Sequence, residues 1–215
     1  MTPTPKNIHA RNLADTVIRN LEKRRMVGYY CESATEAVDK ILSLMPEGSS
    51  IGWGGSMTLS EVGLMDALHA DPDRYRLLVR EDAKTLEEAR EVFAKILSCG
   101  YFLMSTNAIT VDGELVNIDG RGNRVSYLCY GPENVIVVAG MNKVTADVDS
   151  ALARIRTVAA PTNAVRLNRK TPCAATGKCE NCLSPDCICA QTVITRLSQI
   201  PNRIKVILVG EDLGY

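Results

Sequence analysis

Apolar residues follow two rhythms along this chain, and the rhythms take turns. Over residues 7–25, Ala10, Leu13, Ala14, Val17, Ile18 and Leu21 recur at helical spacing, with Arg11, Arg19, Lys23, Arg24 and Arg25 on the solvated side. Residues 26–31 are a short apolar run suited to a buried strand. Ser33-Ala34-Thr35-Glu36 reads as a capping box that opens a helix with Ala37, Val38, Ile41, Leu42 and Met45 inward; Pro46 and Gly48 stop it. Ser49, Ser50 and Ile51 finish a second strand. Thr58-Leu59-Ser60-Glu61 reads as another box, predicting a helix from Leu59 to Ala70. Residues 75–79 form a strand, Thr85-Leu86-Glu87-Glu88 caps a helix reaching Leu97, and residues 101–104 form the next strand. Such alternation with short loops predicts an α/β fold with a parallel-rich sheet flanked by helices.

The middle of the chain reads differently. Residues 108–111, 115–118 and 124–128 are short apolar pieces punctuated by Asp112-Gly113 and Asp119-Gly120. Asp-Gly between short strands is a hairpin signal, so an inserted β-meander is expected. Val135-Ile136-Val137-Val138-Ala139 is the most strand-like run. Thr145 or Asp147 then opens a helix with Val148, Leu152, Ile155 and Val158 inward, and residues 206–209 make a last strand.

Composition narrows the function. Lys+Arg and Asp+Glu both number 25 in 215 residues, and Trp, Phe and Tyr make up 5%. Neither nucleic acid nor an acidic membrane is therefore an expected partner. No apolar run approaches the roughly 20 residues that cross a bilayer, and the opening Met1-Thr2-Pro3-Thr4-Pro5-Lys6 lacks the apolar segment of a signal peptide. A cytoplasmic protein is expected. Five of the eight cysteines fall between Cys173 and Cys189, spaced Cys173-x5-Cys179-x2-Cys182-x4-Cys187-x-Cys189. In a reducing compartment clustered cysteines point to metal before disulfide. Zinc and a [4Fe–4S] cluster both suit the Cys-x2-Cys pair. Cys31, Cys99 and Cys129 lie in apolar segments and are expected in the core.

Three stretches carry candidate chemistry. Gly52-Trp53-Gly54-Gly55-Ser56-Met57-Thr58 joins a strand to a helix, where glycines permit positive φ and close approach of a ligand. With the helix start it suggests an anion pocket for phosphate or carboxylate, Ser56 and Thr58 adding hydroxyl donors. Asn107 precedes a second flexible loop, Asp119-Gly120-Arg121-Gly122-Asn123-Arg124, whose guanidinium groups suit bidentate anion binding. Gly140-Met141-Asn142-Lys143 follows the strongest strand and adds an amide and an amine. His9 is expected at the surface and His69 at a helix C-terminus.

Together these strings resemble the LUD family of lactate-utilisation domain proteins. The stretch from Thr171-Pro172-Cys173 through Gly177-Lys178-Cys179-Glu180-Asn181-Cys182 to Ser184-Pro185 is similar to the cysteine-bearing tail of one branch. The resemblance implies the fold of ribose-5-phosphate isomerase, glucosamine-6-phosphate deaminase and the CoA-transferases. It also implies Cys173, Cys179, Cys182 and Cys189 as the retained metal ligands. No Asp-Gly-Ala-Asp string like the isomerase's is present, and Glu114 is the nearest match to a CoA-transferase glutamate. The fold carries over, and neither reaction does.

The expected organisation is an α/β domain over residues 1–160 plus 200–215, with a cysteine-rich segment at 161–199. The expected function is binding of a small anionic metabolite of organic-acid or lactate metabolism. Gly52, Gly54, Gly55, Ser56, Thr58, Asn107, Arg121, Asn123, Arg124, Asn142 and Lys143 would line the site, with Asp119 as acid or base. The alternative is a non-catalytic, metal- or iron–sulfur-bearing subunit that partners iron–sulfur oxidoreductase subunits. Relatives in this fold associate, so a homo-oligomer is a further expectation.

Overall fold

A computed structural model describes residues 4–215; Met1, Thr2 and Pro3 of the leader reading lie outside them. The chain winds α1 (Pro5–Lys23), β1 (Val27–Cys31), α2 (Ala34–Leu44), β2 (Ser50–Trp53), α3 (Met57–Glu61), α4 (Leu64–Ala70), β3 (Arg76–Leu78), α5 (Leu86–Leu97) and β4 (Tyr101–Ser105). Then come β5 (Ala108–Thr110), β6 (Leu115–Asp119), α6 (Asn123–Cys129), β7 (Asn134–Gly140) and β8 (Val144–Thr145). The chain ends with α7 (Val148–Arg154), α8 (Ala160–Arg166), α9 (Pro172–Thr176), β9 (Gln191–Thr195) and β10 (Ile204–Val209).

Six strands form a sheet in the order β1-β10-β7-β4-β2-β3, all parallel. Val135 through Ala139 of β7 are wholly buried, because a central parallel strand is covered on both faces. Strand geometry sends successive side chains to opposite faces. Val135, Val137 and Ala139 therefore join the α1 residues Ala14, Val17 and Leu21 with Ile96 of α5 and Leu128 of α6. Ile136 and Val138 pack on the other face against Ala37 and Ile41 of α2 and Leu64 and Leu68 of α4.

The expected meander is a second sheet of four strands, β8-β5-β6-β9. Its first hairpin, β5–β6, stands as read. The third piece does not: residues 124–128 belong to helix α6, not to a strand. Val125, Tyr127 and Leu128 are buried, a set that satisfies period 2 and period 3.6 equally over so few residues. Local chemistry decides. Gly122 caps the helix in the left-handed region at φ 82°, and its N–H donates to Asp119 Oδ1 at 2.8 Å. Asp119-Gly120 thus turns a strand into a helix. The strand that completes the sheet is β9, antiparallel to β6 from Leu115↔Thr195 to Asp119↔Gln191. The chain beyond the cysteines is thereby stitched to the middle of the protein.

Other expectations shift locally. The helix after the glycine turn starts at Met57, not Leu59, with Ser56 as its N-cap. Gly63, at φ 83°, splits it into α3 and α4. Between α7 and α8, a π-helical turn over Ile155–Ala159 changes the facing of the helix. Ala151, Ile155 and Ala159 are buried as a result, while Val158 is 43% exposed rather than inward. Cys31 and Cys99 are buried, but Cys129 at the end of α6 is exposed. His9 and His69 are both exposed, and His69 Nδ1 lies 2.6 Å from the Met65 carbonyl oxygen.

Candidate functional site

A cavity of about 700 Å³ opens beyond the C-terminal ends of β2, β4 and β6. Open parallel sheets place ligands at such strand ends. Gly55, Ser56 and Thr58 follow β2, Ser105, Thr106 and Asn107 close β4, and Asp119, Arg121, Asn123 and Arg124 follow β6. Lys143 enters from the single 3₁₀ turn after β7, and Arg90 and Phe93 from α5. Three separate stretches of the sequence therefore meet in one wall.

The charge of the wall is one-sided. Arg80, Arg90, Arg121, Arg124, Arg166, Arg169 and Lys143 line it, against one carboxylate, Asp119. A chain with no net charge has gathered six arginines and Lys143 around one hollow; Arg80 pairs with Glu81 and Arg169 with Asp186, both at 3.0 Å, and Arg90, Arg121 and Arg166 have no carboxylate partner among the described residues. Such a field concentrates anions. Arg90 and Arg121, both exposed at the mouth, make no hydrogen bond or ion pair among the described residues.

Lys143 is buried, with 2% exposure. Its Nζ is 2.7 Å from the Thr58 hydroxyl and 2.9 Å from the Ser105 hydroxyl. Burial holds its pKa down to about 7, with Arg154 and Arg124 pushing the same way and Glu61 opposing. Near neutral pH this amine is therefore divided between its charged and neutral forms, so it is a poorer fixed cation than its residue type suggests.

Arg124 plays a part that its sequence neighbours do not reveal. One terminal nitrogen donates to the Ser105 carbonyl at 3.0 Å and to Asn117 Oδ1 at 2.6 Å. The other donates to Asn107 Oδ1 at 3.0 Å and to the Ile118 carbonyl at 2.8 Å. Nε faces Asp119 Oδ2 at 3.4 Å. The four terminal N–H groups of the fork are thus occupied by the protein, and Nε is ion-paired. Arg124 rivets the strand end of the large sheet to the small sheet, and Asp119 is held between this guanidinium and the cap of α6.

The glycine turn also works differently from its reading. None of Gly52, Gly54 and Gly55 has positive φ. A Cβ on Gly52 would come within 2.8 Å of Ile96 Cγ1, so this glycine lets α5 press onto β2. A Cβ on Gly54 would lie 3.2 Å from the Arg124 stem, so this one makes room for the rivet. Only Gly55 borders the cavity. Helix α3 is five residues long, and Ser56 Oγ already accepts from Leu59 N at 3.4 Å. A capped helix of five residues has little dipole field to offer at its start. Asn142 lies outside the wall and exchanges hydrogen bonds with the backbone of Leu213 and Gly214. Glu114 is bound to Arg24 and Thr110, away from the cavity.

Sequence reading missed Arg80, Arg90, Arg166, Arg169, Ser105 and Tyr215. The four arginines carry no local motif, and their side chains converge only once the helices are laid on the sheets. The phenol oxygen of Tyr215 is buried beside Arg166, whose guanidinium opposes the rise in the phenol pKa that burial causes.

The cysteine segment touches the same cavity: Ile188, between Cys187 and Cys189, is part of its wall. Cys189 is pushed up to about 11, by burial first and then by Cys187, Cys179 and Cys182. Four thiols are therefore close enough to feel one another. Cys173 is apart from that set and lies 3.3 Å from the Thr171 hydroxyl. Among the described residues no three His, Cys, Asp or Glu side chains converge in a geometry ready for a metal ion. Among the described residues no helix is long and apolar enough to cross a membrane.

Comparison with known proteins agrees with this architecture. No curated protein matches the sequence. A DUF162 family protein from Deinococcus radiodurans superposes with a TM-score of 0.54 at 13% identity, over 94% of this chain and 98% of that one. Ribose 5-phosphate isomerase from Plasmodium falciparum gives a TM-score of 0.35 at 16% identity, over 53% of this chain and 52% of that one, too distant to carry an argument. The family model described as LUD domain matches residues 14–209, and this α/β chain belongs to the LUD domain family, which is associated with lactate and organic-acid utilisation.

Proposed function

We propose that the cavity binds a small anionic metabolite of organic-acid metabolism. The observation that carries this reading is a cavity of about 700 Å³ in which Arg90, Arg121 and Arg166 line the wall with no carboxylate partner among the described residues, while Asp119, the one lining carboxylate side chain, is taken up by Arg124. Arg90 and Arg121 at the mouth draw in a carboxylate or phosphate. Thr58, Ser105 and Lys143 meet its far end. Arg124 and Asp119 hold the wall in shape. Whole protein titrated with lactate, pyruvate and inorganic phosphate tests the reading. At a hundredfold excess over Kd a bound anion adds about 2.7 kcal/mol of stability. No stabilisation by any of the three would overturn it.

One observation favours a second role. Cys179, Cys182 and Cys187 all act on Cys189, and such a thiol set suits a thiophilic metal, either zinc or a [4Fe–4S] cluster. We infer that the segment holds one of these, with Cys173 or Cys187 as the variable ligand. The role we propose for it is that of a metal- or iron–sulfur-bearing subunit that joins iron–sulfur oxidoreductase partners. A bound cation would lower the thiol pKa values and release protons. Metal and acid-labile sulfide analysis of protein purified without oxygen tests this; free thiols with neither metal would remove it.

A further inference from the structure

The binding reading leaves unexplained why one of the lining cations is a lysine hidden from water. A clamp for a carboxylate would serve better as a permanently charged, solvated cation. Lys143 is instead 2% exposed, and its Nζ lies 2.7 Å and 2.9 Å from two neutral hydroxyls, Thr58 and Ser105. The charged groups that act on it are Arg154, Arg124 and Glu61, and the cations outnumber the carboxylate. An amine so placed keeps its lone pair near neutral pH, which is the condition for nucleophilic attack.

Resting on the anion-pocket reading, we propose that Lys143 captures the carbonyl carbon of an anionic substrate as an imine, and that the substrate class is the small carbonyl-bearing anions of which 2-oxo carboxylates are the simplest. The arginines hold the anionic end while the amine meets the carbonyl. The Nζ lone pair forms the C–N bond, and the carbonyl π pair moves to oxygen. That oxygen takes one of the two Nζ protons, relayed by the Thr58 or Ser105 hydroxyl, giving a carbinolamine. Transfer of the second Nζ proton to the same oxygen, which leaves as water while the nitrogen lone pair forms C=N, completes the imine with no oxidant or reductant required. Thr58 and Ser105 act as proton carriers and keep the amine oriented. Stacked against the alternatives, this accounts for both the depth of Lys143 and its neutral partners.

The test is reductive trapping on the whole, unaltered protein. Pyruvate or glyoxylate is added with cyanoborohydride at pH 7, and the modified lysine is mapped by peptide mass. Exposed lysines have pKa near 10.4, so the neutral fraction of Lys143 exceeds theirs by a factor on the order of a thousand at pH 7. The expected result is one adduct per chain, on Lys143, forming at a rate that rises with pH through about 7. Lactate, which has no carbonyl, should slow the trapping. Calorimetric binding of pyruvate and lactate is measured in parallel. Binding of both without a Lys143 adduct would overturn the imine and leave the pocket standing. Labelling of surface lysines at the same rate as Lys143 would also overturn it. Absence of both binding and adduct would remove the two readings together.

Discussion

Lys143 Nζ lies 2.7 Å from the Thr58 hydroxyl, so that residues 85 positions apart in sequence share one buried contact. The contact ties the turn after β7 to the first helix after β2, and Ser105 at the end of β4 completes it. A lysine held there raises the cost of its own charge. Its folded pKa, about 7, is below its ordinary 10.5. Between those two values the unfolded chain binds more protons than the folded one, so stability rises with pH. Below about 7 both states are protonated and the full penalty applies; above 10.5 it vanishes.

Lys143→Met should therefore gain stability relative to the natural protein at pH 6, and the gain should shrink as pH rises. The pH-dependent part is on the order of 4 kcal/mol for a shift of this size. Thermal unfolding of both proteins from pH 6 to pH 10 measures it. A difference that stays flat with pH would contradict the buried, depressed amine.

Arg124→Ala should cost about 3–5 kcal/mol, because it leaves Asp119 buried without its cation and strips acceptors on both sheets. Arg124→Lys should recover little of this, since an ammonium cannot span Ser105, Asn107, Asn117 and Ile118 together. Denaturant unfolding of the two variants checks it, and a lysine variant as stable as the natural protein would count against the rivet.

Gly52→Ala should lose roughly 1–3 kcal/mol by overpacking while the anion affinity of the folded protein stays unchanged. The added methyl meets Ile96 at 2.8 Å. In Gly52→Ala/Ile96→Ala the obstruction is removed, so the double variant should be more stable than the sum of the two single losses predicts. Additive losses would say that the glycine is needed for something other than the approach of α5.

Much of the architecture was legible because the period was unambiguous. The run at Val135 is β-branched at four of its five positions, the stripe Ala14, Val17, Leu21 keeps helical spacing over two turns, and both are in the core. Thr58 shows the limit. Its position three residues before Glu61 imitates a capping box, yet Ser56 caps the helix and the Thr58 hydroxyl goes to Lys143. Residues 124–128 show another, since five residues cannot separate a strand from a helix when the deciding group is an aspartate upstream. The site was legible where glycines and loops marked it. It was not legible on α5 and α8, because Arg90 and Arg166 look like any solvated helix face until the fold turns them towards one hollow.

Arg90→Ala and Arg121→Ala should each weaken anion binding about fivefold, near 1 kcal/mol, with little change in stability, because both side chains are exposed and unpaired among the described residues. The loss should fade at high salt as screening removes the field. Equal affinity at every ionic strength would detach these arginines from the site.

The most direct measurement is calorimetric titration of the whole protein with lactate and with lactamide, its uncharged analogue, at low and at high salt. The account predicts one lactate per chain, weaker binding as salt rises, and no measurable binding of lactamide. Silence from lactate, pyruvate and phosphate alike, or equal binding of lactate and lactamide, would contradict an anion pocket at the ends of β2, β4 and β6.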